Sequence, residues 1–285
     1  MKEKKPEEKV RGRGLRIASR IYLAVVLILL YAPVAVMIKY SFNKSRANVT
    51  WQSFTTKWYV KLFSDGELWH VFLTTLLVSV IATLLGTVIG TMGAVGMRKA
   101  RFPGSKLITN SIYFPIVIPE IVLAVALLLL FNLQGISLGL PTIIIGNTTL
   151  VLPYVYITVK ARLVGMDPSI EEASLDLGAD RLYTFLHITM PAIWPGVMAG
   201  AFMSFSLVLD ELIMTSFLAD AATVTLPIKV FSMLKKGINP EINALTTIIL
   251  LAAFLMVVVY LAADEMRNRR LKKMDAEQVR LNETD

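Results

Sequence analysis

Three carboxylates stand inside long apolar runs of this 285-residue chain: Glu120, Asp210 and Glu211. Ionisable groups in hydrocarbon are costly, so they persist where they face a cavity, an opposite charge or a backbone terminus. Acids gathered around a cavity stabilise a cationic passenger. Two other readings stand beside that one: pairing with a Lys or Arg of a partner subunit, and capping of a broken helix. For Asp210 and Glu211, near the end of a run, plain solvation is a further reading. The remaining chemical inventory is thin. The chain has no cysteine, which excludes disulfides, thiolate metal sites and Cys nucleophiles. Its two histidines, His70 and His187, lack neighbours at metal-ligand spacing. No G-x-x-x-x-G-K-[ST] phosphate loop occurs in the sequence. The chain is therefore expected to have no catalytic residue, no metal site and no cofactor of its own, and not to be an enzyme.

The elements that must position these acids are membrane spans. Hydrophobic residues make up 55% of the chain and charged residues 18%, with a mean hydropathy of +0.62. A soluble domain carries about 25% charged residues. A membrane helix needs about 20 apolar residues, and six runs meet that length: 21–38, 71–97, 107–131, 141–159, 192–218 and 242–263. Asn132, Gln134, Gly135, Ser137, Gly139 and Pro141 separate the third run from the fourth. The expected fold is all-α and polytopic, with a basic segment 1–20, a six-helix domain 21–263 and a charged tail 264–285. The first run is too long for a signal-peptide core and has no A-x-A-like site after it.

The formal net charge is +8, but the basic residues flank apolar runs, which points to a membrane surface and away from nucleic acid. With both termini in the cytoplasm, inside segments hold 21 Lys and Arg and outside segments 8, as the positive-inside rule requires. The first outside loop, with Lys39, Lys44, Arg46, Lys57 and Lys61, runs against the trend. On straight helices Glu120 lies roughly 20 Å, and Asp210 roughly 27 Å, from the cytoplasmic end of its span. Pro33, Pro115, Pro119, Pro153 and Pro195 fall in the spans, and Gly86, Gly90, Gly93 and Gly96 line the second. Both features suit close helix packing, and both suit a bundle that rearranges.

The loop 162–191 is too polar to span and too patterned for a linker. Ser169 and Glu172 fit a capping box that starts a helix. Gly178 interrupts it, Asp180 caps a second short helix, and Pro191 ends or redirects that one. On physical grounds alone the pair could rest on lipid. Its spacing resembles a known pattern, however. Glu172-Ala173-Ser174, three residues, Gly178, nine residues and Ile188-Thr189-Met190-Pro191 resemble the EAA motif of binding-protein-dependent ATP-binding-cassette (ABC) permeases. Ser174 replaces the motif's second Ala, and Met190 its Leu.

Longer segments carry a more specific likeness. SFNKSRANVTWQSFTTKWYVKLF, FPIVIPEIVLAVALLLLF, SFSLVLDELIMTSFLA and TLPIKVFSMLKKGINPEINALTTIILL are similar to the spermidine/putrescine permeases of the PotC type, over about residues 31–261. The resemblance implies a type I ABC importer permease (MetI-like) fold in a bacterial inner membrane. It implies a coupling helix docked on a separate ATPase, with Glu172 capping that helix and touching the partner and Gly178 allowing its bend. It further implies two copies of the ATPase, which holds ATP and Mg, a second homologous permease and an extracytoplasmic polyamine-binding protein. The passenger would be a polyamine moved by alternating access. Glu120 falls where the family has an acid after a proline, and Asp210 in the family's acidic pair on the fifth span. Tyr113, Phe114 and Phe205 are candidates for cation–π contacts with ammonium groups. The acids alone also fit a secondary cation transporter, and the loop alone an ABC importer of another small solute.

Overall fold

A computed structural model describes residues 6–45, 50–98, 102–235, 237, 240–252, 254, 255, 258 and 265. The chain divides into two compact units, Gly66–Ser232 and a unit made from Met1–Asp65 with Met233–Asp285.

In the terminal unit, α1 (Pro6–Ser41) carries the first span, Ala18–Ser41, with none of its apolar stretch buried within the chain. A polar turn follows it, organised by Asn43. The Asn43 amide donates to the Thr50 carbonyl at 2.8 Å and accepts from the Gln52 backbone at 3.0 Å. Its carbonyl accepts from the indole N–H of Trp58 at 2.8 Å. Trp58 and Leu62 are the buried residues of α2 (Lys57–Ser64). The basic residues that ran against the charge trend have local partners here. Lys61 pairs with Glu241 at 2.7 Å, and the Lys57 ammonium donates to the Lys44 carbonyl at 2.9 Å. Lys39 lies over the Trp51 ring. Arg46 lies outside the described residues.

The central unit is a bundle of α3 (Gly66–Arg98), α4 (Ser105–Ile112), α5 (Phe114–Val117), α6 (Glu120–Leu133), α7 (Leu140–Val164), α8 (Pro168–Asp176), α9 (Arg181–Thr184), α10 (Met190–Leu209) and α11 (Ile213–Leu218). A π-helical turn, Phe185–Thr189, joins α9 to α10. The helix α12 (Leu226–Lys235) runs across the boundary of the unit. The trio α3, α7 and α10 forms the centre. Without a hydrophobic gain between lipid-embedded helices, such packing depends on close van der Waals approach, hence on small residues. A Cβ on Gly86 would lie 2.7 Å from Val151 Cγ2, and one on Gly90 2.9 Å from Val155 Cβ. On the other side of α7, a Cβ on Gly196 would lie 2.6 Å from Arg162 Cγ, and one on Gly200 2.5 Å from Thr158 Oγ1. Gly93 makes an ordinary contact with Tyr156, and Gly96 has nothing within 4 Å. The glycine run along α3 is thus a packing seam at two of its four positions.

Two apolar clusters stack along α7. One joins Val78, Ala82, Ala124, Phe131, Val151, Val208 and Met214. The other joins Ala94, Val155, Tyr156, Val159, Ile193 and Val197. The start of α7 is tied to the end of α11, since the Gly139 N–H and the Thr142 hydroxyl both donate to the Leu218 carbonyl, at 3.1 and 2.8 Å.

Among the described residues four helices are long and apolar enough to cross a membrane, or five if one bent pair of helices counts as a single span. The third run is not the straight span expected from its composition. Ser105–Val117 and Glu120–Leu133 meet at 113°. A residue before proline is pushed out of the α region, and Ile118, which precedes Pro119, is extended at φ −78°, ψ 134°. The depth of Glu120 counted along a straight helix therefore does not hold. Of the sixth run, Pro240–Ala252 is an apolar helix (α13), and most of the rest of 253–263 lies outside the described residues, as does nearly all of the tail 264–285.

Candidate functional site

The bend at Pro119 and the break after α10 bring two of the three acids together. Glu120 is the first residue of α6, where a negative charge is favoured by the helix dipole. Its carboxyl adjoins that of Glu211. Glu211 itself is buried and engaged. It accepts from the backbone N–H groups of Met214 and Thr215, each at 2.8 Å, and from the Thr215 hydroxyl at 3.1 Å. Glu211 thus holds the first turn of α11, the helix-capping reading of an acid at a broken span. One oxygen of Glu120, Oε1, is buried without a hydrogen-bond partner among the described residues. Asp210, next in sequence, ends α10 and is exposed. The arrangement is a pair of touching carboxyls at two helix starts, with a third carboxylate on the surface beside them. Chemically it offers oxygen acceptors and negative charge.

The loop 162–191 folds into two helices around a glycine, as its pattern predicts, with two changes. The first helix starts at Pro168, and its N-cap is Asp167, which accepts from the Ser169 N–H at 3.0 Å. Asp167 takes the cap from Ser169 because Pro168 is pre-set for the first helical position. That bond, with the Ser169 hydroxyl, holds the Asp167 carboxyl below the usual carboxylate range. At the other end, the Gly178 N–H donates to the Leu175 carbonyl and the Ala179 N–H to the Ser174 carbonyl. Gly178 sits at φ +90°, the left-handed position this helix ending requires. Asp180 caps α9 as expected, accepting from the Tyr183 N–H at 2.6 Å.

The second change concerns Pro191, which does not end the helix. The turn before it widens to π geometry, with the Met190 N–H donating to the Phe185 carbonyl. A wider turn accommodates the place where proline supplies no donor. The helix then runs from Arg181 to Leu209 as one 29-residue span.

Among the residues of the EAA-like motif, burial separates inside from outside. Ser174 is buried and shares a hydrogen bond with the Thr184 hydroxyl at 3.0 Å. Glu172 and Ala173 are exposed, and Glu172 is not the helix cap. A groove of about 970 Å³ runs between α8 and α9, walled by Ala173, Leu177, Gly178, Leu182, Tyr183 and Ile188. Leu177 is 90% exposed and Leu182 64%. Pro191 lies at the first turn of α10.

Of the aromatic candidates, Tyr113 already faces a cation. The Lys160 ammonium lies 5.7 Å from the Tyr113 ring centre and 5.4 Å from that of Tyr156, and it donates to the Tyr113 hydroxyl at 3.2 Å. Phe114 is exposed and Phe205 half-buried.

Sequence reasoning passed over two sets of residues. Glu171, Arg98 and Thr189 form a hydrogen-bonded group. The hydroxyls of Ser79, Thr83, Thr87 and Thr91 are buried along α3 without partners among the described residues. Their i, i+4 spacing was the signal that could have found them.

Residues 82–273 match the family described as "Binding-protein-dependent transport system inner membrane component". The chain is 37% identical over 237 residues to the spermidine/putrescine transport system permease protein PotC of Escherichia coli K12, covering 83% of this chain and 90% of that one. It is 35% identical over 275 residues to the putrescine transport system permease protein PotI of the same strain, covering 91% and 98%. In fold it is similar to a chain of the bacterial alginate ABC transporter solved in complex with an alginate pentasaccharide-bound periplasmic protein. That match has a TM-score of 0.70 at 17% identity and covers 88% of this chain and 94% of the other.

Proposed function

We propose a function from one premise: the chain belongs to the family of binding-protein-dependent transport system inner membrane components. It is a transmembrane permease subunit of an ABC importer for polyamines, spermidine and putrescine. It forms half of the pathway, a second homologous permease forms the other half, and an extracytoplasmic binding protein delivers the passenger. Both termini face the cytoplasm. Two copies of a separate ATPase hold ATP and Mg, and this chain hydrolyses nothing.

The observation that carries the coupling role is the split face of α8. Glu171 and Ser174 turn inward, while Glu172, Ala173 and Leu177 turn out, beside the apolar groove ending at Leu182 and Tyr183. An exposed apolar rim around a concave surface is the signature of a docking site. Seated in the ATPase, this surface carries the motion of nucleotide-driven closure into the span that begins at Arg181. Gly178, Ile188 and Pro191 shape it from within the chain.

The polyamine assignment is supported by the relatives' names and by the acids. Ammonium groups need negatively charged acceptors, and Glu120 and Asp210 supply them. Glu211 contributes charge to the same locus while holding α11. In mechanism, the pathway opens outward to receive the cation, its ammonium groups exchange water for these carboxylates, and inward opening releases it.

The test is uptake of radiolabelled spermidine into proteoliposomes holding the whole transporter, with and without ATP inside the ATPase compartment. Uptake that requires ATP and the binding protein is the expected result. Uptake driven by a proton gradient alone, without ATP, would overturn the reading.

A further inference from the structure

Glu171 and Glu172 are neighbours in sequence and opposites in setting. Glu172 is exposed, whereas Glu171 is buried. A single oxygen of Glu171, Oε1, receives the Arg98 guanidinium at 2.8 Å and the Thr189 hydroxyl at 2.8 Å. Arg98 is the last residue of α3. Thr189 closes the π-helical turn that leads into α10. One carboxylate therefore joins three elements. The Arg98 and Glu171 side chains are 16% and 10% exposed, so water competes weakly for the pair.

The burial pattern of α8 gives this group its weight. The buried residues of α8 are Glu171 and Ser174, and both are polar. Ser174 bonds to Thr184 on α9. Among the described residues, α8 thus has no fully buried apolar side chain, and its buried contacts are hydrogen-bonded and ionic. A desolvated ion pair with a shared hydrogen bond resists sliding, because separation leaves a buried charge uncompensated.

We infer that Glu171, with Arg98 and Thr189, is the joint that passes displacement of α8 to the ends of α3 and α10 together. These are positioning residues. They touch neither passenger nor nucleotide. The inference rests on the coupling role proposed above. It adds that transmission runs through the inward acid, while the outward Glu172 belongs to the docking surface.

The experiment uses the complete transporter in proteoliposomes and measures radiolabelled spermidine uptake and ATP hydrolysis in the same vesicles. With Glu171→Gln, uptake per ATP hydrolysed should fall roughly tenfold while hydrolysis continues. Thr189→Val, nearly isosteric, should lower the ratio in the same direction by less. The charge exchange Arg98→Glu with Glu171→Arg should raise the ratio above that of Glu171→Gln. A purely structural role would lower the amount of assembled complex, and with it uptake and hydrolysis alike, at an unchanged ratio. If Glu171→Gln does not assemble, Thr189→Val decides. A wild-type ratio in the assembled variants, or a charge exchange that restores nothing, overturns the joint. ATP-independent uptake by the wild type would instead overturn the underlying coupling role, so the two failures are separable.

Discussion

Replacing Gly90 by Ala tests how tightly α3 is seated on α7. The new Cβ would lie 2.9 Å from Val155 Cβ and 3.1 Å from the Leu152 carbonyl oxygen. Comfortable carbon contacts lie near 3.5–4.0 Å, so the methyl is short of room by roughly 0.6–1 Å. One of the two obstacles is backbone, and the other is the first carbon of a side chain, so neither can swing aside. Relief requires moving one helix away from the other. Overpacking of this kind costs about 1–3 kcal/mol. Against it stands the better helix propensity of Ala, worth about 1 kcal/mol. Gly96, on the same helix and with nothing within 4 Å, receives the gain without the cost. Gly96→Ala should therefore be the more stable of the two by about 2 kcal/mol, or roughly 4–8 °C in Tm for a chain of this size. Both variants are purified in detergent and melted by circular dichroism. The chemical change is the same in each, so the difference isolates packing. If Gly90→Ala melts at or above Gly96→Ala, the close contact of α3 and α7 is wrong.

Other outcomes are expected. Gly178→Val places a β-branched residue at φ +90°, costing about 1–2 kcal/mol locally; it should leave membrane insertion intact and lower spermidine uptake per ATP hydrolysed, and normal uptake would remove Gly178 from the coupling surface. Glu211→Gln weakens the bonds that hold α11 and should lower Tm by an amount matching about 1–2 kcal/mol. Asp210→Asn, at an exposed position, should leave Tm unchanged and raise the KM for spermidine; unchanged uptake kinetics would take Asp210 out of the pathway. Asp167 has its folded pKa depressed by Ser169, so its cap stabilises fully above the ordinary carboxylate pKa and is lost as pH falls through the lower folded value. The Tm gap between wild type and Asp167→Ala should stay constant down to about pH 5 and close below about pH 4.

Composition made the spans legible because hydrocarbon tolerates so few polar residues. The break after Leu209 was visible in Asp210–Glu211, and the cap of α9 in Asp180. The bend before Glu120 was not. It comes from one dipeptide, Ile118–Pro119, inside an apolar run, and proline within a membrane helix yields anything from a slight kink to a turn of 113°. Its neighbours decide which. The start of α8 slipped by two residues because Asp167 and Ser169 are both good caps, and Pro168 selects between them. No periodicity argument places Arg98 against Glu171, because the two stand 73 positions apart and only the fold brings them together. The pairing of Glu120 with Glu211 was hidden for the same reason. Each acid could be picked out singly, but only the bend and the break together bring the two carboxyls side by side.

The span Arg181–Leu209 is about 43 Å long at 1.5 Å per residue. It is pinched against α7 near its middle, at Gly196 and Gly200, where even a methyl group has no room. A rod gripped at mid-length has a fulcrum there. One arm, from Arg181 to Gly196, measures about 22 Å, and the other, from Gly200 to Leu209, about 14 Å. When the long arm is pushed sideways at its foot, the short arm swings the opposite way by roughly two-thirds of the stroke. Beyond the short arm stands Asp210. A rigid tilt of this helix about that grip would carry its two ends in opposite directions.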